Sequence, residues 1–128
     1  MKHRHIDELL KVATFKPVCN QIELHPFLQW RDVVDHCRKL DIQIVAYSPV
    51  SEEFYWFCLS HICTTLIVAG GQLVKARKMD DPTLMRVAKA HEVTVAQVLL
   101  RWSLQKKFVI LPKSTSAERQ KVNADVYE

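Results

Sequence analysis

Apolar residues recur along this chain at two spacings. "HIDELLKVA" sets Ile6, Leu9, Leu10 and Ala13 along one side at helical spacing, and "LQWRDVVDHCRKL" does the same with Trp30, Val33, Val34 and Cys37. Elsewhere the pattern is a short β-rich apolar run: "KPVCNQIEL", "IQIVAYS" (Ile42 to Ser48) and "FVILPKS" (Phe108 to Ser114). Pro17 sits at the start of the first run, where a missing N–H is tolerated. The second half carries explicit helix-start signals. Asp81 stands as an N-cap before Pro82 at the first helical position of "DPTLMRVAKAH". Thr94 and Gln97 form a T-x-x-Q capping box at the head of "TVAQVLLRWSLQKK", and Ser116 is placed to cap "TSAERQKVNADVY". The pattern predicts five helices and three strands.

Strand, helix, strand at a spacing of about 25 residues is the rhythm of a parallel sheet. Continuous apolar runs such as "IQIVA" and "FVIL" suit strands covered by helices. The class is therefore α/β, and the pattern leaves an open doubly wound sheet and a closed barrel both standing. The dinucleotide fingerprint G-x-G-x-x-G is excluded, because the only two glycines, Gly70 and Gly71, are adjacent.

One segment breaks the pattern. Val50 to Gln72, "VSEEFYWFCLSHICTTLIVAGGQ", has no Lys or Arg and holds both glycines. Within it, Phe54 to Gly70 only reaches the lower length limit of a membrane span, about 17 residues. Ser60, His61, Thr64 and Thr65 interrupt the run, and no basic flank precedes it, so a membrane span is not expected. A long substrate-loop insertion is a second reading.

Composition changes the picture little. The chain has 128 residues, 48% hydrophobic and 25% charged, as in an ordinary globular domain. A net charge of +4, spread without a basic tract, argues against nucleic acid as a partner and is compatible with an anionic cofactor. None of the four cysteines forms a C-x-x-C pair, and "CLSHIC" lacks a second ligand pair for zinc, so no metal is expected. His3 and His5 read as solvated. Reduced thiols and a start without a signal-type apolar stretch place the expectation in the cytoplasm.

Parallel α/β folds bind ligands beyond the carboxyl ends of their strands. Here those ends are "NQIELHP", "AYSP" and "LPKSTSAER". Gln21 offers the donor and acceptor that match a carboxamide, or else satisfies backbone in a core. Tyr47 offers an aromatic face for a flat ring, or else is a core tyrosine with a wet hydroxyl. Lys113, Ser114 and Arg119 surround a helix N-terminus, which is either a phosphate site or a capped helix with two solvated cations. Glu23 and His25 lie two apart on one face, with His25 read as a turn residue before Pro26.

"KPVCNQIELHPFLQ", "IVAYSP" and "DDPTLMRVAKAHEVTVAQVLLRWSLQKKFVILPKSTSAERQKVNADVYE" together resemble the C-terminal half of an aldo-keto reductase. The resemblance covers residues 1–128 apart from 50–72. It implies a partial (β/α)8 TIM barrel, with strands 6–8 and their helices, led by helix five. It further implies an NADP-dependent oxidoreductase that reduces aldehydes and ketones to alcohols by hydride transfer. By the same resemblance Gln21 meets the nicotinamide carboxamide, Tyr47 stacks on the nicotinamide ring, and Ser48 and Leu73 lie near the pyrophosphate. Lys113, Ser114 and Arg119 surround the 2′-phosphate of NADP(H), and Asn123 contacts adenine. Val122 departs from the acidic residue the family often has beside that asparagine.

No segment matches the family's catalytic Asp, Tyr, Lys and His, so no catalytic residue is expected in this chain, which alone is expected to be inactive. The alternative is a non-catalytic truncated fragment that binds nucleotide or a partner, or does not fold stably. Open sheet edges would favour self-association. Joining "AYSP" directly to "LVKARKMDDP" restores the expected family loop. Val-Ser can be written GTAAGT and Gln as CAG, a common intron start and end, which adds a translated intron as a third reading of residues 50–72. The substrate class expected is a small carbonyl compound.

Overall fold

The computed structural model describes residues 1–47, 78–112 and 114–127. Its elements in chain order are helix α1 (His3–Leu10), strand β1 (Cys19–Glu23), α2 (Arg31–Lys39), β2 (Gln43–Tyr47), a 3-10 turn (Lys78–Asp80), α3 (Pro82–Ala90), α4 (Val95–Gln105), β3 (Val109–Leu111) and α5 (Ala117–Ala124). The five helices and three strands expected from the pattern are all present. The anomalous run at 50–72 lies outside the described residues.

The strands form one parallel sheet in the order β1-β2-β3. Gln21 lies opposite Val45, Glu23 opposite Tyr47, and Tyr47 opposite Leu111. The pleat sends alternate residues to opposite faces. Ile22, Leu24, Ile44, Ala46, Phe108 and Ile110 pack on the helix side, in a core completed by Ile6, Val33, Val34, Cys37 and Ile42. Gln21, Glu23, Val45, Tyr47, Val109 and Leu111 take the other face, where Val109 is 45% and Leu111 50% exposed. One face is thus covered by helices and the other bears polar and half-open residues. Strand order without reversal, with right-handed crossovers, puts every connecting helix on one side, as in an arc of a barrel.

The helix starts follow the sequence signals. Asp81 Oδ1 accepts from the N–H of Thr83 (2.9 Å) and of Leu84 (3.1 Å). Thr94 and Gln97 complete the capping box, and Ser116 Oγ accepts from the Arg119 N–H at 3.3 Å. The helix ends follow no glycine signal. Asp41, Glu92 and Lys107, one each after α2, α3 and α4, take positive φ of 53°, 56° and 60°. Behind each of them a long bond closes the end: Ile42 N–H to Cys37 O, Val93 N–H to Ala88 O, and Phe108 N–H to Ser103 O, at 2.8–3.1 Å. These are Schellman ends built on non-glycine residues.

Cations sit where helix carbonyls run out. Lys16 Nζ donates to the carbonyls of Leu40 (2.8 Å) and Asp41 (3.2 Å), and Arg38 Nη2 to that of Lys106 (2.8 Å). Helix α1 is tied to α2 by Asp7 Oδ1 and His36 Nε2 at 2.8 Å. Helix α5 differs from the other α-helices described, because none of its residues is buried. It is tethered beyond its end, where α4 donates from Gln97 to Asp125 O (2.9 Å) and from Arg101 to Val126 O (2.8 Å). Cys37 is buried in the core and Cys19 is exposed, both as free thiols.

Candidate functional site

The carboxyl ends of the three parallel strands lie along one rim of the sheet. Gln21 is exposed on β1 and Tyr47 half-buried on β2, both on the helix-free face, two rungs apart. Glu23 lies opposite Tyr47 on that face, two residues beyond Gln21 on β1, and is 9% exposed. Desolvation raises the Glu23 carboxyl above its ordinary range. It also raises the Tyr47 phenol, with the Glu23 charge pushing the same way and a bond to the Glu23 backbone opposing it.

His25 continues the row at the turn after β1. It is 4% exposed, and burial pushes its pKa down to about 4. Its Nδ1 accepts the Phe27 N–H at 3.2 Å, so the neutral ring carries its proton on Nε2. That Nε2 lies 3.8 Å from Glu23 Oε1, too far for a hydrogen bond, and has no other partner among the described residues. The sequence reading of His25 as a turn residue holds. What it missed is that the turn is buried and sets a neutral imidazole against a buried carboxyl.

The third strand end is shorter than expected. β3 stops at Leu111, and Ser114 lies beyond it. Pro112 has no N–H to continue the ladder, which ends the strand before the Lys–Ser pair. Ser114 then organises the entry to α5. Its Oγ accepts from Ser116 N–H (3.2 Å) and Arg119 Nε (3.4 Å), and its carbonyl accepts from Gln120 Nε2 (2.8 Å). Ser114 and Asn123 line one cleft of about 290 Å³ with Ile110, Pro112, Gln120, Ala124 and Tyr127. Gln120 and Tyr127 were not singled out in the sequence; a polar residue one helical turn from Ser116 was the available signal for Gln120.

The geometry thus brings together Gln21 and Tyr47 on one face and Ser114 and Arg119 at the start of α5, while Asn123, near the end of that helix, shares only the cleft with Ser114. Ser48, Leu73 and Lys113 lie outside the described residues. Among the described residues no group of His, Cys, Asp and Glu is arranged to hold a metal, and no helix is long and apolar enough to cross a membrane.

Residues 1–128 match the aldo/keto reductase family throughout. The chain belongs to that family. It is 35% identical over 126 residues to aldo-keto reductase family 1 member A1-A of Danio rerio, covering 98% of this chain and 35% of that protein. It is 36% identical over 124 residues to glyoxal reductase of Bacillus subtilis, covering 97% and 37%. Among solved structures, an aldo-keto reductase from a deep-sea metagenome superposes with a TM-score of 0.77 at 30% identity, covering 100% of this chain and 40% of that one. The Bombyx mori aldo-keto reductase, solved in complex with NADP, gives 0.75 at 30% identity, covering 100% and 38%. These structural neighbours are TIM-barrel enzymes, and the aldo-keto reductase chain described here spans about 35–40% of their length. NADP(H) is the cofactor with which such neighbours are solved.

Proposed function

We propose that this chain is the cofactor-binding part of an NADP-dependent aldo-keto reductase acting on small aldehydes and ketones. The observation that carries the reading is the placement of Gln21 and Tyr47 on one sheet face, with the Ser114–Arg119 helix start at the neighbouring strand end.

The residues fit the group. Gln21, exposed, turns an amide donor and acceptor to the rim, as a carboxamide requires. Tyr47 presents a ring half shielded from water for stacking. Ser114 and Arg119 meet at 3.4 Å beside the N–H groups that open α5, and Lys113 adds a second cation in sequence, a set suited to a 2′-phosphate. When bound, the cofactor supplies the hydride. This chain's residues hold the nicotinamide in orientation and neutralise the phosphate. In this reading the three strands are barrel strands 6–8, and Ser48 and Leu73 approach the pyrophosphate. The groups that protonate the carbonyl oxygen belong to barrel units outside this chain.

NADPH fluorescence tests the reading. The chain is expected to bind NADPH in preference to NADH, and Arg119→Ala together with Lys113→Ala is expected to remove that preference, at least about tenfold, as one charge-assisted contact to phosphate implies. Equal affinity for NADPH and NADH would sink it. With an aldehyde present, the chain alone is expected to leave NADPH unoxidised.

We further propose that residues 50–72 are a translated intron. A spliced transcript lacking these codons as the main product is the expected result, and a transcript that always keeps them overturns it.

A further inference from the structure

A buried acid stands between the two residues that the nicotinamide would meet. Glu23 lies two residues beyond Gln21 on β1 and directly opposite Tyr47 on β2, and all three share one face of the sheet. Residues two apart on a strand are about 6–7 Å apart, and neighbouring strands about 4.8 Å. Gln21, Glu23 and Tyr47 are therefore corners of one small patch, with the acid between the other two. The Glu23 charge reaches the Tyr47 phenol, and that phenol bonds to the Glu23 backbone.

The acid is 9% exposed, and no Lys or Arg among the described residues forms an ion pair with it. Desolvation raises its carboxyl with no cation pulling the other way. Its neighbour is His25, whose Nδ1 accepts the Phe27 N–H and whose Nε2 lies 3.8 Å from Glu23 Oε1 with no other partner among the described residues. The turn that carries this ring is fixed. His25 and Leu28 exchange backbone bonds of 3.2 and 2.9 Å, and Gln29 Nε2 donates to Pro26 O at 2.9 Å. Burial keeps the imidazole neutral. His25 thus offers an N–H donor to the carboxylate without cancelling its charge, and an approach of about 1 Å brings the two into bonding range. A buried carboxylate held in this way is costly unless a positive charge lies against it.

We propose that Glu23 is a specificity-determining residue, its buried carboxylate favouring the oxidised, cationic nicotinamide of NADP+ over the neutral ring of NADPH. The inference rests on the cofactor reading, in which the carboxamide meets Gln21 and the ring stacks on Tyr47. A ring held by both lies against the Glu23 corner. The two forms of the cofactor differ there by one full positive charge and carry the same phosphates. Opposite unit charges about 6 Å apart at an effective dielectric near 20 attract strongly enough to change a binding constant more than tenfold.

The test titrates the full chain with NADPH, followed by its fluorescence, and then displaces it with NADP+ at about pH 8, where an unperturbed carboxyl is ionised and an unperturbed imidazole neutral. Glu23→Gln keeps the shape and removes the charge. It is expected to weaken NADP+ at least about fivefold and to leave NADPH within about twofold. Glu23→Asp keeps the charge and is expected to retain most of the preference. Contacts to the phosphates cancel in the ratio of the two affinities, so a variant that merely loosens the fold lowers both together. Circular dichroism of each variant checks the fold directly. The inference is overturned if Glu23→Gln leaves the ratio unchanged or weakens both forms equally, or if Glu23→Asp loses the preference as Glu23→Gln does. A wild-type chain that binds neither nucleotide overturns the cofactor reading and this inference with it. A chain that binds NADPH with an unmoved ratio overturns this inference alone.

Discussion

At the scale of single residues, the protonation state of His25 bears on the stability of the fold. Its pKa is held near 4 against an ordinary 6.5, because burial disfavours the charged ring. A group with a depressed folded pKa adds stability above its unfolded value and loses it as pH falls through the folded one. Between pH 6.5 and about 4 the unfolded chain takes up a proton that the folded chain refuses, a loss of up to about 3 kcal/mol. Urea unfolding across that window is expected to show falling stability on acidification, and His25→Gln is expected to flatten the slope. Glu23 works in the opposite sense: its raised carboxyl favours the protonated form in the fold, so its contribution falls as pH rises above 4.5. Little of this was legible in the sequence. "ELHP" showed that Glu23 and His25 share a face, but not that both are buried, and burial sets both shifts. Gln21 and Tyr47 were legible because each stands at the polar end of an apolar run.

At the scale of elements, helix starts were written in the sequence and helix ends were not. Asp81, Thr94 and Ser116 cap as their side chains dictate. Thr94→Ala is expected to cost about 1 kcal/mol in thermal or chemical unfolding. Asp41, Glu92 and Lys107 hold left-handed backbone where glycine is the usual choice, and with both glycines elsewhere in the chain no such stop was visible. The physical signal was the apolar residue after each, Ile42, Val93 and Phe108, whose N–H reaches back to close the helix. Each replacement by glycine, such as Lys107→Gly, is expected to relieve left-handed strain and raise stability by about 0.5–1 kcal/mol, read from the unfolding midpoint. β3 ran short of expectation because Pro112 cannot donate to the ladder, a stop that was in the sequence but was read as part of the strand.

At the scale of the whole molecule, helices cover one side of the sheet, and among the described residues no helix packs on the other side and no further strand pairs with β1 or β3. The α/β class was legible from period and spacing. The choice between doubly wound sheet and barrel arc was not, since it depends on which face the crossovers take. The chain alone is expected to unfold at a low midpoint or to associate with rising concentration, which light scattering during a thermal scan will show. Removing residues 50–72 from a complete barrel is expected to strengthen NADPH binding, at least about tenfold, because the segment separates Tyr47 and Ser48 from Leu73. Two free thiols among the described residues offer a chemical clock for all of this. Cys19, exposed, opens β1, an edge strand of the described sheet, and Cys37 sits in the core. With Cys58 and Cys63 replaced by serine, a thiol reagent is expected to label Cys19 at once and Cys37 only as fast as the core opens. Slower labelling of Cys19 would then report that something had closed over that edge.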